Sequence, residues 1–292
     1  RFDFSREQLY NQVWDFVDQN RGNMELQLRA LGAGASWDHQ VFTLDEKVIK
    51  TTYQTFKKMW DDKLVYRGER IVNYCTKHQT TFSDIEVEYK ETKSTLWSIA
   101  YPTLDSVGEI VVATTRPETM LGDVAVAVHP DDERYKHLVG TKVLLPIVNR
   151  EIPVIADNYV DMSFGTGAVK FTPAHDPNDF EMGQRHNLEP INIIGKDGKL
   201  TNVPGAFMGL TPLDARKRVL SALQAEEYRR GEQPITHNVG HCYKCGTVIE
   251  PLMYDQWFVN LKPLAERAIE AINNTEINFV PKSKGKQVVD YL

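Results

Sequence analysis

The chain has 292 residues, of which 41% are hydrophobic and 25% charged, and its formal net charge is −6 at pH 7. This mixture excludes a disordered or fibrous protein. The acidic balance argues against an unaided grip on a long nucleic-acid backbone, while permitting a pocket for a few nucleotides at a strand end. Three cysteines (Cys75, Cys242 and Cys245) are too few for a disulfide-stapled secreted scaffold. No run of about 18 apolar residues offers a membrane span, so no membrane partner is expected. The start, Arg1-Phe2-Asp3-Phe4-Ser5, is no signal peptide and lacks an initiator methionine; a piece of a longer chain, or a processed product, is expected.

The first 70 residues read as helical. Ser5 caps a helix with Gln8 at N3, and Leu9, Val13, Phe16 and Val17 follow at helical spacing. A second helix is predicted from Met24 to Leu31, ending near Gly32 and Gly34. A third is predicted with Thr43 as cap and Glu46 at N3, burying a stripe of Leu44, Val48, Tyr53, Phe56 and Trp60. Ile71 to Tyr74 is a short extended piece running into Cys75. From Thr92 to Pro204 the apolar runs are short and β-branched, with candidate strands at 95–100, 109–113, 124–128, 142–145, 151–155 and 168–171. Their spacing does not fit repeated βαβ units, and a mainly β domain is expected. Thr211-Pro212-Leu213-Asp214 starts another helix, with cap, N1 proline and N3 acid in order. Pro263 starts a last one through Leu264, Ala268 and Ile272; the tail after Pro281 is too short to read.

Two pairs stand out. Cys75-x-x-His78 and Cys242-x-x-Cys245 together supply four ligands, the number a closed tetrahedral zinc site needs. If both pairs hold one ion, the long intervening segment is an insertion whose ends meet. The alternatives are a redox pair, small core residues with a surface histidine, or His241 as the fourth ligand. A closed site leaves no position for water, so the ion would be structural.

Three further segments are rich in reactive side chains. Thr114-Thr115-Arg116-Pro117-Glu118-Thr119 brings hydroxyls and a guanidinium to a helix start, where they can grip an oxygen or merely cap. Gly165-Thr166-Gly167 is a tight turn before Lys170, which also reads as a solvated strand residue, and Thr172, which also reads as a simple β former. His175-Asp176-Pro177-Asn178-Asp179 reads as an N-cap, N1 proline and N3 acid; two acids there can also receive an ammonium group. His175 next to Asp176 suggests a hydrolase base, but no nucleophile elbow accompanies it.

Taken together, Gly34-Ala35-Ser36-Trp37-Asp38, Phe42-Thr43-Leu44-Asp45, Arg70 to Tyr74, Ser83 to Tyr89, Thr114 to Thr119, Phe164 to Gly183 and Gly240 to Val259 resemble the middle of a valyl-tRNA synthetase, a class I aminoacyl-tRNA synthetase. Isoleucyl and leucyl enzymes share the threonine-rich and Gly-Thr-Gly regions, whereas 172–180 is closer to the valyl type. The resemblance implies an α+β fold: a mainly β, barrel-like editing domain (92–235) inserted between helical flanking segments and a small zinc-binding module (73–91 and 236–250). Residues 1–72 would be a helical connective segment, and 251–292 the return toward the catalytic core. The family's zinc-binding pairs map onto Cys75, His78, Cys242 and Cys245, with His78 departing from the all-cysteine version.

The resemblance also implies a function. The H-I-G-H and K-M-S-K-S motifs are absent, so ATP-dependent charging is expected only of the full-length enzyme. The expected activity is deacylation: hydrolysis of threonyl-tRNA(Val), whose 3′ end carries the wrong amino acid. Asp179 would hold the α-ammonium, and Asp176, with Lys170, the threonine hydroxyl. Arg116, Thr119, Lys170 and Thr172 would place the adenosine and the ester, with Thr114, Thr115 and His175 as further substrate contacts. A positioned water, aided by the ribose hydroxyl, would attack. The expected partners are the tRNA and the rest of the synthetase chain, and the expected state is a cytoplasmic monomer. The alternatives are a non-catalytic module that binds the 3′ end or docks another domain, and a metal-dependent small-molecule hydrolase.

Overall fold

The computed structural model describes residues 3–105 and 107–292; Arg1 and Phe2, which open the start read above, lie outside the described residues. In chain order the elements are α1 (Arg6–Ala30), α2 (Glu46–Asp61), β1 (Val65–Cys75), β2 (Thr80–Phe82), β3 (Val87–Pro102), β4 (Glu109–Thr114), β5 (Ala125–Val128), β6 (Lys142–Leu145), β7 (Arg150–Ala156), β8 (Ala168–Phe171), α3 (Pro177–Arg185), α4 (Pro212–Ala225), β9 (Arg229–Cys242), β10 (Glu250–Val259), α5 (Lys262–Asn273) and α6 (Ser283–Tyr291). The chain divides into two compact units, residues 66–259 and the remainder.

In the helical unit, the Ser5–Gln8 capping box forms as predicted. The two helices expected between Leu9 and Leu31 are one continuous α1. No proline interrupts it, and a single interior Gly22 costs only about 1 kcal/mol. Asp45, not Thr43, is the N-cap of α2, and its carboxylate accepts from the Phe42 N–H at 2.9 Å. The stripe on α2 is not buried: Tyr53 is 71% exposed and Trp60 49%, and neither α1 nor α2 contains a buried residue. Amphipathic spacing gives a helix its face, but the face is buried only where packing supplies a cover.

The second unit holds three sheets, ordered β10-β1-β2, β4-β3-β9 and β6-β7-β5-β8. The β1–β2, β3–β4, β3–β9, β5–β8 and β6–β7 pairs are antiparallel, and β5 pairs with β7 in parallel. No sheet closes into a barrel among the described residues; the mixed architecture stands, with open sheets packed through a shared core. The predicted strands from 95 to 171 all form, within a residue or two at most ends, except that the first is part of a much longer β3.

Strand β5 explains the packing. Its residues alternate between faces, and all four are buried. Val126 and Val128 join the main core with Ile99, Ile110, Leu145 and the α4 residues Val219 and Leu223. Ala125 and Ala127 face a second cluster with Phe171 and Met182, which brings α3 onto the sheet. β3 and β9 pair from Val87↔Cys242 to Ile99↔Arg229, with a bulge at Ser98/Ile99. Neither β9 nor β10 was predicted.

Candidate functional site

The four metal-type residues converge. Their ligand atoms all lie within 4.8 Å of one another. Cys75 Sγ is 3.5 Å from His78 Nδ1 and 3.6 Å from Cys245 Sγ, and Cys242 Sγ is 3.6 Å from His78 Nδ1. A tetrahedron with Zn–S of about 2.3 Å and Zn–N of about 2.0 Å has edges of about 3.8 Å between sulfurs and about 3.5 Å from sulfur to nitrogen. The donor set and its spacing therefore fit zinc. Cys75 and His78 come from the end of β1 and its turn, while Cys242 and Cys245 come from the end of β9 and a turn closed by Gly246 N–H to Cys242 O at 2.8 Å. His241 is not among the converging residues; its Nδ1 donates to Val239 O at 2.8 Å.

The other nine residues singled out above line one cavity of about 640 Å³. Three walls form it. Thr114, Thr115, Arg116 and Thr119 come from the end of β4 and the 3₁₀ turn Pro117–Gly122. Lys170, Thr172, His175, Asp176 and Asp179 come from β8 and the start of α3. Leu96, Ile235, His237 and Pro251 close the third side from β3, β9 and β10, and Phe164 stands at the edge, 56% exposed. Gly165, at φ +59°, lets the Phe164 turn close; a Cβ there would come within 3.0 Å of the Ala113 Cβ.

The acids are arranged asymmetrically. Asp176 caps α3, its Oδ1 accepting from Asn178 N at 2.9 Å and Asp179 N at 3.2 Å. Asp179 Oδ2 accepts from Thr172 N at 2.8 Å. Among the described residues, Asp176 Oδ2 and Asp179 Oδ1 have no hydrogen-bond partner in the protein. Burial, and then the neighbouring Asp176, push the Asp179 carboxyl up to about 7, against the pull of Lys170 and the Thr172 N–H. Its neutral form is therefore favoured well beyond that of an exposed aspartate.

Beneath the cavity lies a residue the sequence reading missed. Asp123 is fully buried and accepts from Tyr101 Oη at 2.6 Å, Thr172 Oγ1 at 2.7 Å and Lys170 Nζ at 3.1 Å. Its pKa is raised by burial, with these donors pulling against the rise. The only signal in sequence was a carboxylate directly before a strand with no polar residue.

Arg116 is held rather than open. Its Nη2 meets Glu250 at 2.6 Å and its Nε meets Glu118 at 3.2 Å. Glu118 is fully buried and also takes both Arg216 bonds at 2.8 Å. Burial opposes the charge on Glu118, yet the two arginines hold its carboxyl below the ordinary range. Thr119 Oγ1 bonds to Arg116 O and Thr114 Oγ1 accepts from Arg116 N, so both hydroxyls shape this turn. His175 Nε2 accepts from Ile193 N at 2.9 Å, which places the proton on Nδ1. Burial and the Arg116 charge push its pKa down to about 3. A neutral ring whose basic nitrogen is already occupied positions the 191–193 segment and is not a general base.

The family profile for class I tRNA synthetases (I, L, M and V) matches residues 1–292. The chain belongs to that family. It is 48% identical to a valine–tRNA ligase of Thermotoga maritima over 100% of the chain and 34% of that protein. Matches to valine–tRNA ligases of Fusobacterium nucleatum subsp. nucleatum (47% identical, 99% of the chain, 33% of that protein) and Bdellovibrio bacteriovorus (47%, 100% and 33%) are similar. This synthetase segment thus spans about a third of the relatives it matches. Among the described residues no helix is long and apolar enough to cross a membrane.

Proposed function

We propose that this segment performs post-transfer editing, hydrolysing the ester of threonine wrongly attached to the 3′ end of valine tRNA. Threonine and valine are nearly isosteric, and the established discrimination of an apolar valyl pocket against threonine is only about 100-fold. A second pocket that requires the hydroxyl recovers the difference, because valine leaves its polar groups unpaired. The observation that carries this reading is the pair of acids in one cavity, Asp176 and Asp179, each keeping one oxygen without a protein partner.

In this reading, Asp179 Oδ1 receives the α-ammonium, whose charge draws the carboxyl into its ionised form. Asp176 Oδ2 accepts from the threonine hydroxyl. Lys170 donates toward the ester carbonyl, where negative charge grows; a water held by the floor and the adenosine ribose hydroxyl attacks the carbonyl carbon, the acyl–oxygen bond to the ribose breaks, and the proton lost by the water ends on the departing ribose oxygen. Orientation and electrostatic stabilisation supply the rate. Zinc on Cys75, His78, Cys242 and Cys245 would serve as a closed structural clamp. Editing of tRNA(Val) and docking on the remaining synthetase chain, whose charging reaction uses ATP, complete the proposed setting, with the cytoplasm as its site.

The test is deacylation of threonyl- and valyl-tRNA(Val) by the purified chain. The threonyl ester is expected to be cleaved preferentially, and Asp179→Ala to lose about 10³-fold in rate. Equal cleavage of both esters, or an undiminished rate in the variant, overturns the reading. Binding without turnover would mark the chain as a passive 3′-end module.

A further inference from the structure

We infer that Asp123, which does not line the cavity, is a positioning residue that sets the hydrogen-bond polarity of the cavity floor. The inference rests on the editing reading above and names what prepares that site.

Donors and acceptors on the floor can be counted. The Lys170 ammonium has three N–H donors. One goes to Asp123 Oδ1 at 3.1 Å and one to Thr172 Oγ1. One remains for the cavity, which Lys170 lines. Thr172 has a single hydroxyl proton, and it is committed to Asp123 Oδ1 at 2.7 Å. Its oxygen accepts from Lys170, leaving one lone pair. The floor therefore presents one donor from Lys170 and one acceptor from Thr172. Without Asp123, the Thr172 hydroxyl is free to rotate and the lysine loses its anionic anchor.

Asp123 itself cannot turn. Its other oxygen takes the Tyr101 hydroxyl at 2.6 Å, and its backbone carbonyl takes Arg150 Nη2 at 2.7 Å. Both Asp123 and Tyr101 are fully buried. The fixed polarity matches an ester: the donor meets the carbonyl oxygen as charge develops on it, and the acceptor takes a hydrogen of the attacking water. Both interactions strengthen toward the transition state, so their loss falls on kcat rather than on KM.

The experiment compares wild type, Asp123→Asn, Lys170→Met and the double variant in hydrolysis of threonyl-tRNA(Val). Asp123→Asn is expected to lower kcat about 100-fold with KM within about threefold. The double variant is expected to fall well short of the product of the two single losses, since Asp123 acts through Lys170 and Thr172 rather than independently of them. Multiplying losses, or a loss confined to KM, would overturn the proposal. A second readout does not depend on activity. In ¹⁵N-lysine-labelled protein, the Lys170 ammonium protons are expected to exchange slowly in wild type and rapidly in Asp123→Asn, while the backbone amides of β5 stay protected. Slow ammonium exchange in Asp123→Asn also overturns it. If wild type fails to cleave the threonyl ester, the editing reading falls, and the lysine exchange still decides whether Asp123 holds the floor.

Discussion

The Cys/His cluster and the polar cavity occupy two stretches of the same β3–β9 ribbon, yet they are built on opposite rules. In the cluster, four donors from two turns point at one centre and contact one another, leaving nothing for a substrate. In the cavity, the groups are held from behind, with Asp176 by the helix amides, Asp179 by Thr172 N, and Lys170 by Asp123, and each acid keeps an oxygen without a protein partner. A saturated site stabilises; a site with unsatisfied polar groups costs stability and can do chemistry.

Metal removal should break the comparison most visibly. Structural zinc in small sites contributes roughly 10 kcal/mol or more. For the proposed zinc-loaded chain, chelation or Cys242→Ser is expected to abolish retention of one zinc per chain and to expose the amides of β2 and the adjoining ends of β1, β3 and β9 to hydrogen exchange. The β5 amides in the core should remain protected. Uniform loss of protection would mean that the cluster supports the whole unit.

The cavity should behave in the reverse sense. Asp179 has its carboxyl raised to about 7 in the folded chain, above the ordinary aspartate value of about 3.9. Its contribution to stability is therefore fully present below pH 4 and is lost as pH rises through 7. Asp179→Asn mimics the neutral form and is expected to stabilise the chain at pH 8, by on the order of 2–4 kcal/mol, with little change at pH 4. Urea unfolding at the two pH values checks this, and a destabilised variant at pH 8 would contradict it. The same change is expected to remove hydrolysis.

The smallest effect is on the pH dependence of the reaction. If the ionised Asp179 receives the ammonium, kcat/KM for the threonyl ester should rise about tenfold per pH unit below 7 and level off above it. A profile flat from pH 5.5 to 8 would remove Asp179 from that role.

Some of the molecule was readable from short stretches of chain. The Ser5, Asp176 and Thr211 caps are local, because a cap satisfies amides two or three residues away, and all three form. The C-x-x-H and C-x-x-C pairs are equally local, although spacing alone did not choose between His78 and His241. The long β9 was not readable. Gly231, Pro234, Gly240 and its mostly polar residues carry no strand signal, and it is extended because β3 pairs with it along its length. The stripe on α2 misled for the opposite reason: its pattern is that of a buried face, but nothing among the described residues buries it.

By itself, the sequence determined where α1, α3 and α4 begin, which residues can bind metal, and which segments carry acids, hydroxyls and a lysine. Only the tertiary structure decided which of these are committed. Arg116 is tied to Glu250, 134 residues away, and Thr172 to Asp123, 49 residues away. The physical reason is that a polar group's chemistry depends on the hydrogen bonds and burial it has after folding, and those partners are set by sheet packing rather than by spacing along the chain.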